Sequence, residues 1–308
     1  MDVTNDRGLW AEVRAAVKRA AREVGWNGGR RRPVYPNWLI VAMYLWCVWH
    51  DRPLCWACDR GHYNALFRPR RLPSVSQFAR RVKTPSVAAV LARAHDDLAA
   101  AGLASAVTIL DGKPLPVGPP SRDPDAARGR VSGGFAKGYK LHAAVTADGR
   151  IPARDVRPLN VAEVTVAADL IARLAPPPTS GALVLADSGY DAAPLHRQVA
   201  ATGRRLHCPL RGQGQLVGGA HHPVTLRQMG PARRAAVALW RDRPAEAARE
   251  LAPRSRVETT FAALTACGGG LTCLPAWART LDRVTRWVGA KIVLYHARLR
   301  AKRKLVTA

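Results

Sequence analysis

Acidic residues are scarce in this chain. It carries 22 Asp and Glu against 48 Lys and Arg, for a formal net charge of +26 and a pI near 11.2. That imbalance argues against an ordinary small-molecule enzyme. It suits a polyanionic partner, with nucleic acid first and an anionic membrane surface second. Long hydrophobic runs are lacking too. The longest, "NWLIVAMYLWCVWH" at 37–50, falls short of the roughly 20 residues a bilayer span needs, so it reads as a buried helix of a soluble protein. The first ten residues, "MDVTNDRGLW", have no apolar core of the kind a secretory signal requires, and the expected compartment is the cytoplasm. Cysteine is sparse, at positions 47, 55, 58, 208, 267 and 273, and is expected to be reduced. Cys55 and Cys58, between His50 and His62, have a zinc-ligand spacing. No second pair follows, so buried thiols in a helical core are the preferred reading. Aromatics make up only 6%, and most of the nine tryptophans precede residue 60, where they read as core. No internal repeat occurs.

What is present supports a folded protein of one large or two ordinary domains: 308 residues, 48% of them apolar. Up to residue 103 the pattern is helical and basic. Helices are predicted over 8–24, 37–50, 54–66 and 86–101, the last stopped by Gly102, with a capping box at Ser74 and Gln77 starting a short one. Clusters at Arg30–Arg32, Arg68–Arg71, Arg80–Lys83 and Arg298–Lys304 suit contact with a DNA backbone. This stretch is therefore expected to be a DNA-binding region, followed by a second domain over 104–304.

The texture then changes. "AVTIL" (106–110) is a strand ending at Asp111, followed by a Pro/Gly-rich loop over 112–136. Strands at 138–146 and 151–159 form a hairpin about the turn "ADGR". Asn160 and Glu163 are expected to cap a helix reaching Leu174, and Asp155 to lie on an exposed strand position. "ALVLA" is the next strand, ending at Asp187; Asp191 caps a helix to Thr202, and 204–210 is a fifth strand. The order is β-β-β-α-β-α-β. An insertion at about 211–253 holds a flexible "GQGQLVGG" and one or two helices. Helices from Arg254 and from about Pro275 to Arg303, separated by a Gly-rich break at 268–270, close the chain.

Asp111 and Asp187 share a setting, an apolar strand that delivers a carboxylate at its C-terminal end, and lie 76 positions apart. Glu258 follows 71 positions later near a helix start, four residues after Arg254 and so on its face. A lone strand-end aspartate is ordinarily a turn residue. Three carboxylates meeting in one place would repel unless cations sat among them. Mg²⁺ or Mn²⁺ prefers oxygen ligands, and two ions roughly 4 Å apart can assist cutting and joining of a phosphodiester. Lys140 and His142 share one face of the hairpin strand, near Lys137, and read either as a solvated face or as phosphate contacts.

These segments, "ILDGKPL", "GYKLHAAVTADGRIPARDVRPLN", "VLADSGYD" and "RSRVETTF", resemble the DDE transposases of bacterial insertion sequences over about 105–300. The resemblance implies an α/β fold with an RNase H-like mixed sheet flanked by helices. It also implies a triad of Asp111, Asp187 and Glu258 holding two Mg²⁺ or Mn²⁺ ions, with Arg254 on phosphate. Arg256, Lys137, Lys140 and His142 join it as expected DNA contacts. It implies cleavage at element ends, attack of the freed 3′-hydroxyl on target DNA, double-stranded DNA as partner without a membrane, a nucleoid-associated location, and a homodimer or larger synaptic complex. Leu251 and Thr265 depart from the family signature, which often has Tyr and Lys there, so the resemblance carries the three acids and not a hairpin route. A nuclease of the same fold without strand transfer, and a catalytically silent transposon-derived DNA-binding protein, remain alternatives.

Overall fold

The computed structural model describes residues 3–25, 33–100, 105–211, 223–268 and 270–307. The Arg30–Arg32 cluster, Gly102 and the "GQGQLVGG" segment lie outside the described residues. The chain divides into two compact units, Met1–Ala100 with Ala263–Ala308, and Ala101–Ala262.

The first unit is helical. Its helices are α1 (Val3–Val24), α2 (Asn37–Trp49), α3 (Val75–Val82), α4 (Pro85–Ala99) and the C-terminal helix, numbered α10 below (Leu281–Thr307). α2 is apolar all round, and every residue except Trp38 is buried, as expected of a helix with no solvent face. Trp10, Trp46 and Trp49 are core, while Trp38 and Trp56 are half-buried: Trp10 meets Trp46 edge-on at 4.7 Å and stacks on Phe67 at 5.7 Å. Such pairs add about 0.5–1.5 kcal/mol beyond burial. Ser74 and Gln77 form the expected capping box. Residues 54–66 differ from expectation. They hold two short 3₁₀ turns, Leu54–Cys58 and Arg60–His62, and no α-helix. Cys55 is exposed and Cys58 half-buried, which corrects the buried-thiol reading. The His62 ring stacks on Trp56, and its Nδ1 lies 2.8 Å from the Trp56 carbonyl.

The C-terminal helix packs on α1, α2 and α4 instead of extending the second unit to residue 304. Its apolar face (Val284, Trp287, Val288, Ile292) is buried there, and Arg300 bridges Glu12 and Asp97, each at 3.4 Å. Buried area decides where a helix belongs, and periodicity alone does not reveal its partner.

The second unit is built on one mixed sheet with an RNase H-like order. Its strands are β1 (Val107–Pro116), β2 (Ala127–Val131), β3 (Gly134–Thr146), β4 (Ala153–Pro158), β5 (Ala182–Leu185) and β6 (Arg204–His207). The order is β2-β3-β1-β5-β6, with β4 also pairing β3. β3 runs antiparallel to β1, β2 and β4, while β5 and β6 run parallel to β1. The expected 112–136 loop is corrected: β1 continues to Pro116, and β2 forms a ribbon with β3.

Helices α5 (Glu163–Ala172) and α6 (Ala193–Ala201) cover one sheet face, where Leu110, Ala144, Val184 and Leu206 meet Val166, Leu170, Leu195 and Val199. Helices α7 (Pro223–Asp242, kinked at Gly230) and α8 (Pro244–Leu251) pack beside β6. There Trp240 donates to the Cys208 carbonyl at 3.0 Å, and Arg205 grips Glu250 at 2.8 Å. α9 (Arg256–Ala266) begins in this unit. Among the described residues, no helix is long and apolar enough to cross a membrane.

Candidate active site

β1 and β5 are parallel neighbours, with Ile109 opposite Leu185. Carrying that register two residues onward brings Asp111 level with Asp187. Each strand is buried up to the acid, and each acid is half-buried. Local backbone shapes both. The Gly112 amide donates to Asp111 Oδ1 at 2.8 Å, and the Gly189 amide to Asp187 Oδ1 at 2.7 Å. Among the described residues these bonds leave Oδ2 of each acid uncommitted. Asp187 caps the 3₁₀ turn Ser188–Tyr190, and a Cβ at Gly189 would lie 2.8 Å from its Oδ1. "ADSGY" is therefore a device for turning the chain tightly around a carboxylate.

The charges meet. The Asp111 carboxyl is pushed up to about 6, mainly by burial and then by Glu163 and Asp187, against the opposing Gly112 amide and Arg254. Tyr190 is buried beneath the same acids, and its hydroxyl is held far above its ordinary value by burial and then by Glu163, Asp111 and Asp187. Arg254 also reaches Glu258, with Nη2 3.3 Å from Oε1. Asp111 thus feels Glu163, Asp187 and Arg254, while Glu258 pairs with Arg254 and has no described contact with either aspartate. Glu258 itself is exposed, with 60% of its side chain open to solvent. Arg256 is exposed on the first turn of α9.

Glu163 is the residue that sequence reading placed wrongly. The N-cap of α5 is Ala162, with no side-chain bond. The Glu163 carboxylate instead accepts from Lys140 Nζ at 2.8 Å, in a pair only 14% and 21% exposed. A Cβ at Gly112 would collide with both the Glu163 carboxylate and the Lys140 stem. The glycine after Asp111 is what lets that pair lie against β1. The sequence signal was there in "LDG", since a glycine inside a strand marks close approach by another group.

Other expected residues take different places. Lys137 donates to the Ser121 carbonyl at 3.2 Å. His142 is 1% exposed; neither ring nitrogen has a partner among the described residues, and burial, then Lys140, pushes it down to about 4. It faces neither solvent nor a phosphate path. Asp155 is mostly buried and pairs with Arg157 at 2.8 Å, which corrects its reading as exposed. Asp191 is not a cap, since α6 starts from Ala192. It is buried and held by Arg233 at 2.7 Å, His196 at 3.2 Å and the Arg211 amide at 2.9 Å. With His196 and Cys208 it is the one group of clustered metal-type donors among the described residues, but its oxygens are already committed to the guanidinium.

The donors at Asp111, Asp187 and Glu258 are all carboxylate oxygens, and like charges converge on Asp111. That set fits a hard divalent cation and not a soft one. Residues 103–295 match the family described as the transposase DDE domain. No curated protein and no solved structure matches the chain.

Proposed function

The chain belongs to the transposase DDE-domain family, and from that premise we propose that it cuts DNA at the ends of a mobile element and joins the freed ends to target DNA. Membership brings DNA as the partner class and divalent cations as the usual helpers of the chemistry. Asp111, Asp187 and Glu258 are the proposed ligands of two Mg²⁺ or Mn²⁺ ions. Bound there, the ions would supply Lewis-acid stabilisation of the attacking and leaving oxygens.

The chain's own residues do the rest. Asp111 on β1 and Asp187 in the turn just past β5 would present oxygens from neighbouring segments, a platform for an in-line displacement. Arg254 balances Asp111 and Glu258 and offers its guanidinium to a phosphate oxygen. Lys140, steadied by Glu163, keeps positive charge at the flank of the acids, while Arg256 is exposed for backbone contact and Lys137, half-buried against the Ser121 carbonyl, would have to leave that bond to reach a phosphate. The net charge of +26 attracts the polyanion to a site that is locally acidic. The carrying observation is the parallel pairing of Ile109 with Leu185, which sends Asp111 and Asp187 out at the same end of adjacent strands.

A strand-joining assay tests the reading against a plain nuclease. Labelled duplexes bearing the termini that flank the coding sequence are incubated with Mg²⁺ and plasmid. Label in the plasmid supports transposition; cutting without joining favours the nuclease; binding alone favours a silent binder. Synapsis by a homodimer or larger assembly is part of the proposal and predicts a complex holding two ends.

A further inference from the structure

The ribbon formed by β2 and β3 has two unlike faces. Arg130 pairs across the ribbon with Phe135, and Arg128 with Lys137, so these four side chains share one face. Alternation puts Gly129 and Gly138 on the other, where a Cβ at Gly129 would lie 2.5 Å from the Leu159 carbonyl oxygen. The glycine face is pressed onto the protein and the basic face is turned outward. Phe135 is 71% exposed, beside a turn in which Gly133 takes φ +83°. Arg128 and Arg130 are exposed and have no hydrogen-bond or ion-pair partner among the described residues. None of the paired ribbon residues is acidic; farther along β3, Tyr139 on the same side donates to the buried Asp123 carboxylate at 2.8 Å. Two exposed arginines without partners among the described residues, beside an aromatic tip, complement a phosphate backbone flanking an apolar base stack. A two-stranded ribbon is also narrow enough to enter a DNA groove.

We propose that this ribbon is a DNA-binding arm: Arg128 and Arg130 hold phosphates of the bound duplex, and Phe135 wedges at a base step. The inference rests on DNA being the substrate of the neighbouring acids. From Ala143, which pairs with Asp111, to Phe135 is eight residues, roughly 26 Å along an extended strand. At about 3.4 Å per base step, the wedged step lies about eight base pairs from the phosphate at the acids. Apolar side chains inserted in this way unstack a step and bend the duplex.

The test uses the full chain without divalent cation, so that binding is read apart from cutting. The probe is a terminal duplex with 2-aminopurine placed at successive steps and dyes at its ends. Arg128→Ala/Arg130→Ala should lower the slope of log K against log salt by about 2. Phe135→Ala should leave that slope intact, weaken binding about tenfold, and abolish both a 2-aminopurine fluorescence rise about eight steps from the cut and the end-to-end bend. Phe135→Trp should restore both signals. An unchanged salt slope in the arginine variant overturns the arm. A bend and fluorescence pattern that persists in Phe135→Ala overturns the wedge. These substitutions are on an exposed face, and thermal unfolding matching wild type shows that the fold is intact. If Asp187→Asn still cut DNA, the catalytic reading would fall while the ribbon's result stood separately.

Discussion

Asp111 follows Ile109 by two residues on β1, and Asp187 follows Leu185, the parallel partner of Ile109, by two residues just past the end of β5, so both acids leave the same end of adjacent strands. Their proximity bears on the stability of the fold and on the proton affinity of Asp111, and both are measurable.

Asp111 titrates near 6 against an ordinary value of 3.8. A raised folded value means that ionisation opposes folding. Stability of the cation-free protein should therefore fall as pH rises from about 4 through about 6 and then level off. Asp111→Asn should be more stable than wild type at pH 8 by about 1–2 kcal/mol, with no advantage at pH 3.5. Denaturant unfolding at the two pH values checks this.

The same proton competes with a cation. Mn²⁺ affinity, followed by calorimetry, should be nearly flat above about pH 6.5 and weaken by up to about tenfold per pH unit below 6. Equal affinity at pH 5 and pH 7.5 would remove Asp111 from the ligand set.

Lys140 and Glu163 form a half-buried pair, and breaking one side leaves the other uncompensated. Glu163→Ala and Lys140→Met should each cost about 2–3 kcal/mol, and the double variant should cost less than their sum, with a coupling of about 1–3 kcal/mol. If Glu163 were only a helix cap, the cycle would close with no coupling.

Asp191 is structural. Burial raises its carboxyl, but the Arg233 guanidinium, the His196 ring and the Arg211 amide outweigh this and hold it well below the carboxylate range. Its contribution is present above the ordinary carboxyl value and is lost as pH drops beneath it. Asp191→Asn should destabilise by about 3 kcal/mol at pH 7, whereas Asp187→Asn should unfold at or above the wild-type temperature.

Much of the second unit was legible in the sequence because apolar strands ending in acids and the hairpin turn carry strong local signals. The sheet order came only with the family resemblance, which implied an RNase H-like fold and so brought the strands of Asp111 and Asp187 together. Long-range commitments were not legible. Glu163 looked like a cap because Glu three residues after Asn fits a capping box; its partner Lys140 lies 23 positions away. Asp191 looked like a cap because aspartate before a helical run is a favoured N-cap, and its partner Arg233 is 42 positions away. β2 was hidden because "ARGRV" has too few apolar residues to show a period; its inner face is small because it presses on backbone. The expected helix over 54–66 failed where Pro53 and Gly61 favour short turns over a continuous helix.

Cleavage of a labelled terminal duplex with Mg²⁺, run beside a gel-shift measurement of binding, tests the central claim most directly. Asp111→Asn, Asp187→Asn and Glu258→Gln should each bind DNA as wild type does and lose cleavage by at least about a thousandfold. Wild-type cutting by Glu258→Gln, the acid tied to the others only through Arg254, would contradict the three-carboxylate site.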